Sequence, residues 1–224
     1  MLHLMQINIA GSNERIAPFD QRLAKIVALA EQNAVDIITL QATEDALGAS
    51  LPLDRLRAAL PALPHVARSG SMALLSRRPL AAARAVALAS LSHADDPHAR
   101  ALLIVHLADP ALVVAVAHFS WAGAQAEANV AETIAALAGL GAMILAGDFN
   151  QPPHSPALAA LAAAGFADPW PRLNTGPGIT FAESDPPGRI DYVLERAPAP
   201  LVREIGCVAG DFSNHAALIA RVAA

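Results

Sequence analysis

The chain has 224 residues, 54% of them hydrophobic, with a mean hydropathy of +0.40 and a formal net charge of −5. That length predicts one domain spanning 1–224 with a large buried core. The acidic balance argues against a basic surface tracking many phosphates, so nucleic acid is not a favoured partner.

No stretch reaches the roughly 18 uninterrupted apolar residues that a membrane helix needs. The best window, 101–119, is cut by His106, Asp109 and Pro110. The N-terminal residues Met-Leu-His-Leu-Met-Gln lack the basic start, apolar run and small-residue cleavage site of a signal peptide. A single cysteine, Cys207, rules out an intramolecular disulfide, and a cytoplasmic monomer is the expectation.

Leu2 to Ile9 alternates, with Leu2, Leu4, Gln6 and Asn8 on one face, and reads as a strand running into the turn residues Gly11, Ser12 and Asn13. Pro18 suits a first helical turn, and Phe19, Leu23, Ile26, Val27 and Ala30 follow at helical spacing. Asp36 to Gln41 is the next strand, and Leu53 to Leu60 a short helix between two prolines. Met72 to Ser76 and a segment near Ala81 to Leu88 read as strands.

His93, Asp95, Asp96, Pro97 and His98 form a polar loop whose spacing matches no metal-ligand pattern, so an exposed loop is expected. Arg100 to Leu107 and Leu112 to Phe119 read as a hairpin turning at Asp109-Pro110. Gln125 to Leu140 is helical, closed by Gly139 and Gly141. Then comes the most informative stretch. The apolar run Ala142-Met-Ile-Leu-Ala breaks at Gly147 and presents Asp148, Phe149 and Asn150. Ser155 is a good N-cap before Pro156, with Gly165 at the C′ position. Thr175 to Phe181 is a Gly- and Pro-rich loop entering a strand. Gly188 to Leu194 reads as a strand with Asp191 in mid-run, and Ala216 to Val222 as the last strand, after Ser213-Asn-His215.

Polar groups therefore gather at strand ends: Asn8, Gln41, His118, Asp148 with Asn150, and Ser213 to His215. Asp191 alone falls inside a strand, where a carboxylate is costly unless paired, for instance with a histidine. Convergence of this kind is the signature of a site.

In its order and spacing the chain resembles the endonuclease/exonuclease/phosphatase superfamily. The anchors are Asn8, Asp36-Ile-Ile-Thr-Leu-Gln41, Met72-Ala-Leu-Leu-Ser-Arg77 and Ala117-His118-Phe119. Further on come Gly147-Asp-Phe-Asn150, Thr180-Phe181, Gly188-Arg-Ile-Asp-Tyr-Val193 and Ser213-Asn-His215. The resemblance implies an α/β (α+β) fold, a four-layer α/β/β/α sandwich of two mixed, mainly antiparallel sheets with outer helices. It implies phosphoester hydrolysis by an in-line water, assisted by Mg²⁺ or Mn²⁺. His215 looks like the catalytic histidine, held by Asp191. Asp148 would orient or deprotonate the water, and Asn150 would hold that water or a phosphate oxygen. His118 would donate to the phosphate or leaving oxygen, and Asn8 lies where the family contacts metal or phosphate.

Two departures fall on metal-ligand positions. The family's Leu-Gln-Glu is here Leu40-Gln41-Ala42, and its Ser-Asp-His is Ser213-Asn214-His215. The metal set then comprises Asn8 and Asp148, the uncharged amide of Asn214, and Glu44 if the chain turns back. In a continuing strand Glu44 would lie roughly 6–7 Å beyond position 42; Asp45 is the other substitute. The alternative is a phosphate-binding or protein-interaction module on the same fold, resting on Ala42 and Asn214. The acidic balance and the 4% aromatic content lean the substrate toward a small or exposed phosphodiester rather than long duplex DNA.

Overall fold

The computed structural model describes residues 1–11, 13, 15–44, 48–91 and 95–223. In chain order its elements are β1 (Leu2–Asn8), α1 (Phe19–Gln32), β2 (Ile37–Gln41), α2 (Leu51–Ala59), β3 (His65–Ser69), β4 (Met72–Ser76) and β5 (Leu80–Leu88). There follow β6 (Arg100–Leu107), β7 (Val113–His118), α3 (Gly123–Ala136), β8 (Met143–Asp148), α4 (Pro156–Ala163), α5 (Trp170–Leu173), β9 (Asp191–Arg196), β10 (Val202–Val208) and β11 (Ala217–Val222).

The alternation along β1 decides the layering. Leu2 and Leu4 join Ile37, Leu74, Val105, Val114, Val116, Ile144, Val193 and Leu218 in a core between two sheets. Met5, Ile7 and Ile9 face the other way, into a layer with Ile26 and Leu29 of α1 and Leu53 and Leu56 of α2. A third cluster packs Val130 of α3 and Leu158 and Leu161 of α4 on the outer face of the second sheet. Each such side chain, fully buried, contributes about 1.5–3 kcal/mol. The result is the four-layer α/β/β/α sandwich.

One sheet has the order β10-β11-β1-β2-β4-β3 and the other β5-β6-β7-β8-β9. Each is antiparallel but for one parallel pair, β1 with β2 and β7 with β8. Those pairs are joined through α1 and α3, the crossovers that parallel neighbours require. Parallel pairing brings strand ends level. Asn8 lies opposite Gln41, and His118 opposite Asp148. Asp148 is also opposite Asp191, the first residue of β9.

Asp191 thus begins its strand rather than sitting in its middle, because Gly188 is used in a bridge to Phe181 before the ladder starts. β8 also differs from expectation, since it runs through Gly147 to Asp148. A Cβ at Gly147 would stand 2.0 Å from the Ala117 carbonyl oxygen. Glycine is there for the close approach of β7, not to end the strand.

Pro18 is the residue before α1, extended at ψ 136°, and not part of its first turn. The third helix stops at Ala136, before Gly139 takes φ +73°. β3, β10 and α5 were not expected. β3 is a half-buried edge strand without clean alternation, and β10 carries Gly206 in mid-run. Ser155 caps α4 as its sequence indicates, accepting from Leu158 N.

Among the described residues no helix is long and apolar enough to cross a membrane.

Candidate active site

Asp148 is the centre of the site. It is 1% exposed, at the C-terminal end of β8. Its Oδ2 accepts from Asn8 Nδ2 at 2.8 Å, and its Oδ1 from the backbone N–H of Asn150 at 2.9 Å. His118 Nε2 lies 3.4 Å and His215 Nε2 3.8 Å from Oδ2. Asn150 reaches its place in a left-handed conformation, φ +51°, which asparagine tolerates better than most residues. Its amide nitrogen donates to Phe119 O at 2.9 Å, so its carbonyl oxygen is the end it can offer to the site.

His215 Nδ1 is 2.9 Å from Asp191 Oδ2. Asp191 is fully buried; its backbone N–H donates to Thr180 Oγ1, and Gln6 Nε2 approaches its Oδ1 at 3.4 Å. Ser213 Oγ donates to Asn8 O at 2.6 Å and accepts from His215 N, tying the last loop to the end of β1. The loop beyond Asn8 is held from the other side by Arg22. This buried guanidinium donates to Ile9 O and Ala17 O, and among the described residues its charge is met by carbonyls rather than by an acid.

The electrostatics separate the two histidines. Burial pulls the His215 imidazole down, but the hydrogen bond and charge of Asp191, with Asp148 and Glu183, outweigh it and hold the group above its ordinary range. Burial pulls His118 down to about 4, and the Asp148 charge does not offset it. His215 is therefore the imidazole that holds its proton more readily, and His118 the one kept neutral at neutral pH. Burial, then the charge of Asp191, pushes Asp148 up from the usual carboxylate range.

Of the residues singled out in the sequence, the fold brings Asn8, His118, Asp148, Asn150, Asp191 and His215 together at one end of the sandwich. Glu44 stands apart. β2 ends at Gln41, the chain turns at Ala42 with φ +52°, and Glu44 lines a cleft of about 480 Å³ with Ala42, Ser71, Arg100, His118 and Trp121. It borders His118 but is not part of the cluster around Asp148. Asp45 lies outside the described residues, as does His93. Asn214 donates its amide to Glu183. The loop before β6 is not wholly exposed as expected: Asp96 is buried and binds Arg100 through Nε and Nη2.

Sequence reasoning passed over Gln6 and Glu183. Gln6 carried a signal, a polar residue on the inward face of β1. Glu183 carried none, lying in a polar loop.

Among the described residues, Asp148, Asp191 and His215 offer ligand atoms within 4.8 Å of one another. Two buried carboxyl groups beside one imidazole form a donor set that a cation would meet. Mg²⁺ keeps several waters and binds through one or two carboxylates plus substrate oxygens. Asp148, with Asn8 beside it, fits that demand.

The family model described as Endonuclease/Exonuclease/phosphatase family matches residues 5–215. The chain belongs to this family. No curated protein matches it in sequence. Solved structures share the fold. An endonuclease/exonuclease/phosphatase from Beutenbergia cavernae superposes with a TM-score of 0.78 at 21% identity, over 99% of this chain and 72% of that one. A mannosyl-6-phosphatase from Bacteroides thetaiotaomicron gives 0.75 at 16% identity over 100% of both chains. A humanized D. rerio TDP2 gives 0.73 at 15% identity, over 98% of this chain and 97% of that one. At these identities the likeness is one of fold, and the family's four-layer sandwich is the one built here.

Proposed function

We propose that the chain is a phosphoesterase that cleaves a small or exposed phosphodiester by in-line attack of water, with Mg²⁺ or Mn²⁺ as cofactor. The observation that carries this reading is the buried cluster in which His215 Nδ1 meets Asp191 at 2.9 Å while its Nε2 faces Asp148 at 3.8 Å.

Asp191 fixes the tautomer of His215 and stabilises its charged form, so that Nε2–H is directed outward as a donor to the phosphoryl oxygens, where charge grows in the transition state. Asp148, raised in pKa by its burial, orients the attacking water and takes its proton. The Asn150 carbonyl oxygen accepts from the same water. Because its amide nitrogen is held by Phe119 O, this end serves water rather than a phosphate oxygen. Neutral His118 donates from Nε2 to the phosphate or the leaving oxygen. Asn8 holds Asp148 in place and borders the phosphate. Asp148 and Asn8 would hold the cation, with Glu44 and Asn214 at its margins; bound there, it neutralises charge on the phosphoryl oxygens.

The competing reading, a phosphate-binding module without turnover, rests on the methyl of Ala42 and the amide of Asn214 at positions where the family carries carboxylates. Incubation with bis-p-nitrophenyl phosphate and Mn²⁺ in ¹⁸O-labelled water separates the two. Hydrolysis is expected to release p-nitrophenol and place the label on the phosphoryl product. Absence of product with either cation would favour the module.

A further inference from the structure

The Asn214 side chain is held in an unusual way. Its Nδ2 donates to Glu183 Oε2 at 3.0 Å, while its Oδ1 is buried and has no hydrogen-bond donor among the described residues. The orientation of an amide is settled by its partners. Here the flipped form would set a carbonyl oxygen against a carboxylate, so Glu183 fixes which end points inward. A buried carbonyl without a partner is costly and calls for a missing water or ion. The neighbouring charges match a cation. Glu183 faces the Asn214 amide and adds its negative charge to those of Asp191 and Asp148 around His215.

We propose that Glu183 is a positioning residue of the cation site. It accepts an amide hydrogen of Asn214, so that Oδ1 is presented as an oxygen ligand, and its own charge strengthens the field felt by the bound ion. The proposal rests on the phosphoesterase reading only in placing the cation at this end of the sandwich. The carboxylate that the family pattern carries at position 214 is then divided in this chain between two residues, an oxygen from Asn214 and a charge from Glu183.

The test is Mn²⁺ binding to the whole chain by isothermal titration calorimetry, with thermal melts to confirm folding. Glu183→Ala is expected to weaken Mn²⁺ about tenfold, the loss typical of an outer-shell partner. Glu183→Gln keeps an acceptor for the amide and should recover part of that loss. Asn214→Ala should weaken binding at least as much, and the double variant Glu183→Ala/Asn214→Ala by less than the product of the two single losses, because Glu183 acts in part through Asn214.

Mn²⁺ affinity within twofold of the parent in Glu183→Ala, independent losses that multiply, or no Mn²⁺ binding by the parent would each overturn the proposal. Hydrolysis of bis-p-nitrophenyl phosphate, measured in parallel, keeps the two readings apart. A parent that turns over with Mn²⁺ while Glu183→Ala keeps the same cation dependence loses this inference and retains the phosphoesterase.

Discussion

Replacing Asp191 with asparagine changes the shape of the site little and its charge greatly. The amide is close to isosteric, and its oxygen can still accept from His215 Nδ1, now held at 2.9 Å by the carboxylate. What disappears is the negative charge that, with the hydrogen bond, outweighs the burial of His215. Without it burial is less fully offset, and His215 gives up its proton more readily. A positioned proton-transfer group contributes about 10²–10⁴ to rate, equivalent to roughly 3–5 kcal/mol of barrier. The expected fall in kcat/KM for bis-p-nitrophenyl phosphate with Mn²⁺ at pH 7.5 therefore lies in that range. The His215 Cε1–H resonance, followed by NMR titration, should shift its midpoint to lower pH. A folded Asp191→Asn protein that keeps kcat/KM within about threefold of the parent would refute the pairing argument.

Other substitutions probe neighbouring parts of the account. His118 is held neutral in the fold, with its pKa lowered to about 4, whereas the unfolded chain takes up the proton near 6.5. Its contribution is present above pH 6.5 and is lost as pH falls toward 4, about 3 kcal/mol over that window. In urea titrations with chelator, His118→Gln should show a smaller loss of stability between pH 7.5 and 4.5 than the parent; an equal or larger loss would contradict the assignment. Gly147→Ala places a methyl 2.0 Å from Ala117 O and should cost about 3 kcal/mol, read as a lowered urea midpoint, whereas a change below about 1 kcal/mol would mean that β7 can yield. Ala42→Glu should tighten Mn²⁺ about tenfold or more by calorimetry, since hard cations favour carboxylate oxygens. Unchanged affinity would show that position 42 does not face the cation.

Much of this arrangement is legible in the residues. The inward face of β1 follows from its alternation, and the ends of β1, β7 and β8 carry Asn8, His118 and Asp148 because apolar runs stop there. Parallel pairing then sets those ends level, which the sequence indicates only through the helices between the strands. Asp191 shows where local pattern fails. The apolar residues from Ile190 onward look continuous with Gly188, yet the bridge to Phe181 delays the ladder and puts the carboxylate at the strand's start. β3 and β10 were hidden because half-buried strands have weak alternation, and tertiary pairing rather than propensity makes them. Glu183 could not be found from spacing at all. Its contact with Asn214 joins a loop to the segment before β11, 31 residues away.

The central claim is that His215 and its carboxylate partners make this chain a phosphoester hydrolase. The measurement that bears on it most directly is bis-p-nitrophenyl phosphate hydrolysis by the parent and by His215→Ala, with Mg²⁺ or Mn²⁺ and again after chelation. Cation-stimulated release of p-nitrophenol, reduced at least about 10²-fold in His215→Ala, is the predicted result. Equal rates in the two proteins would contradict it.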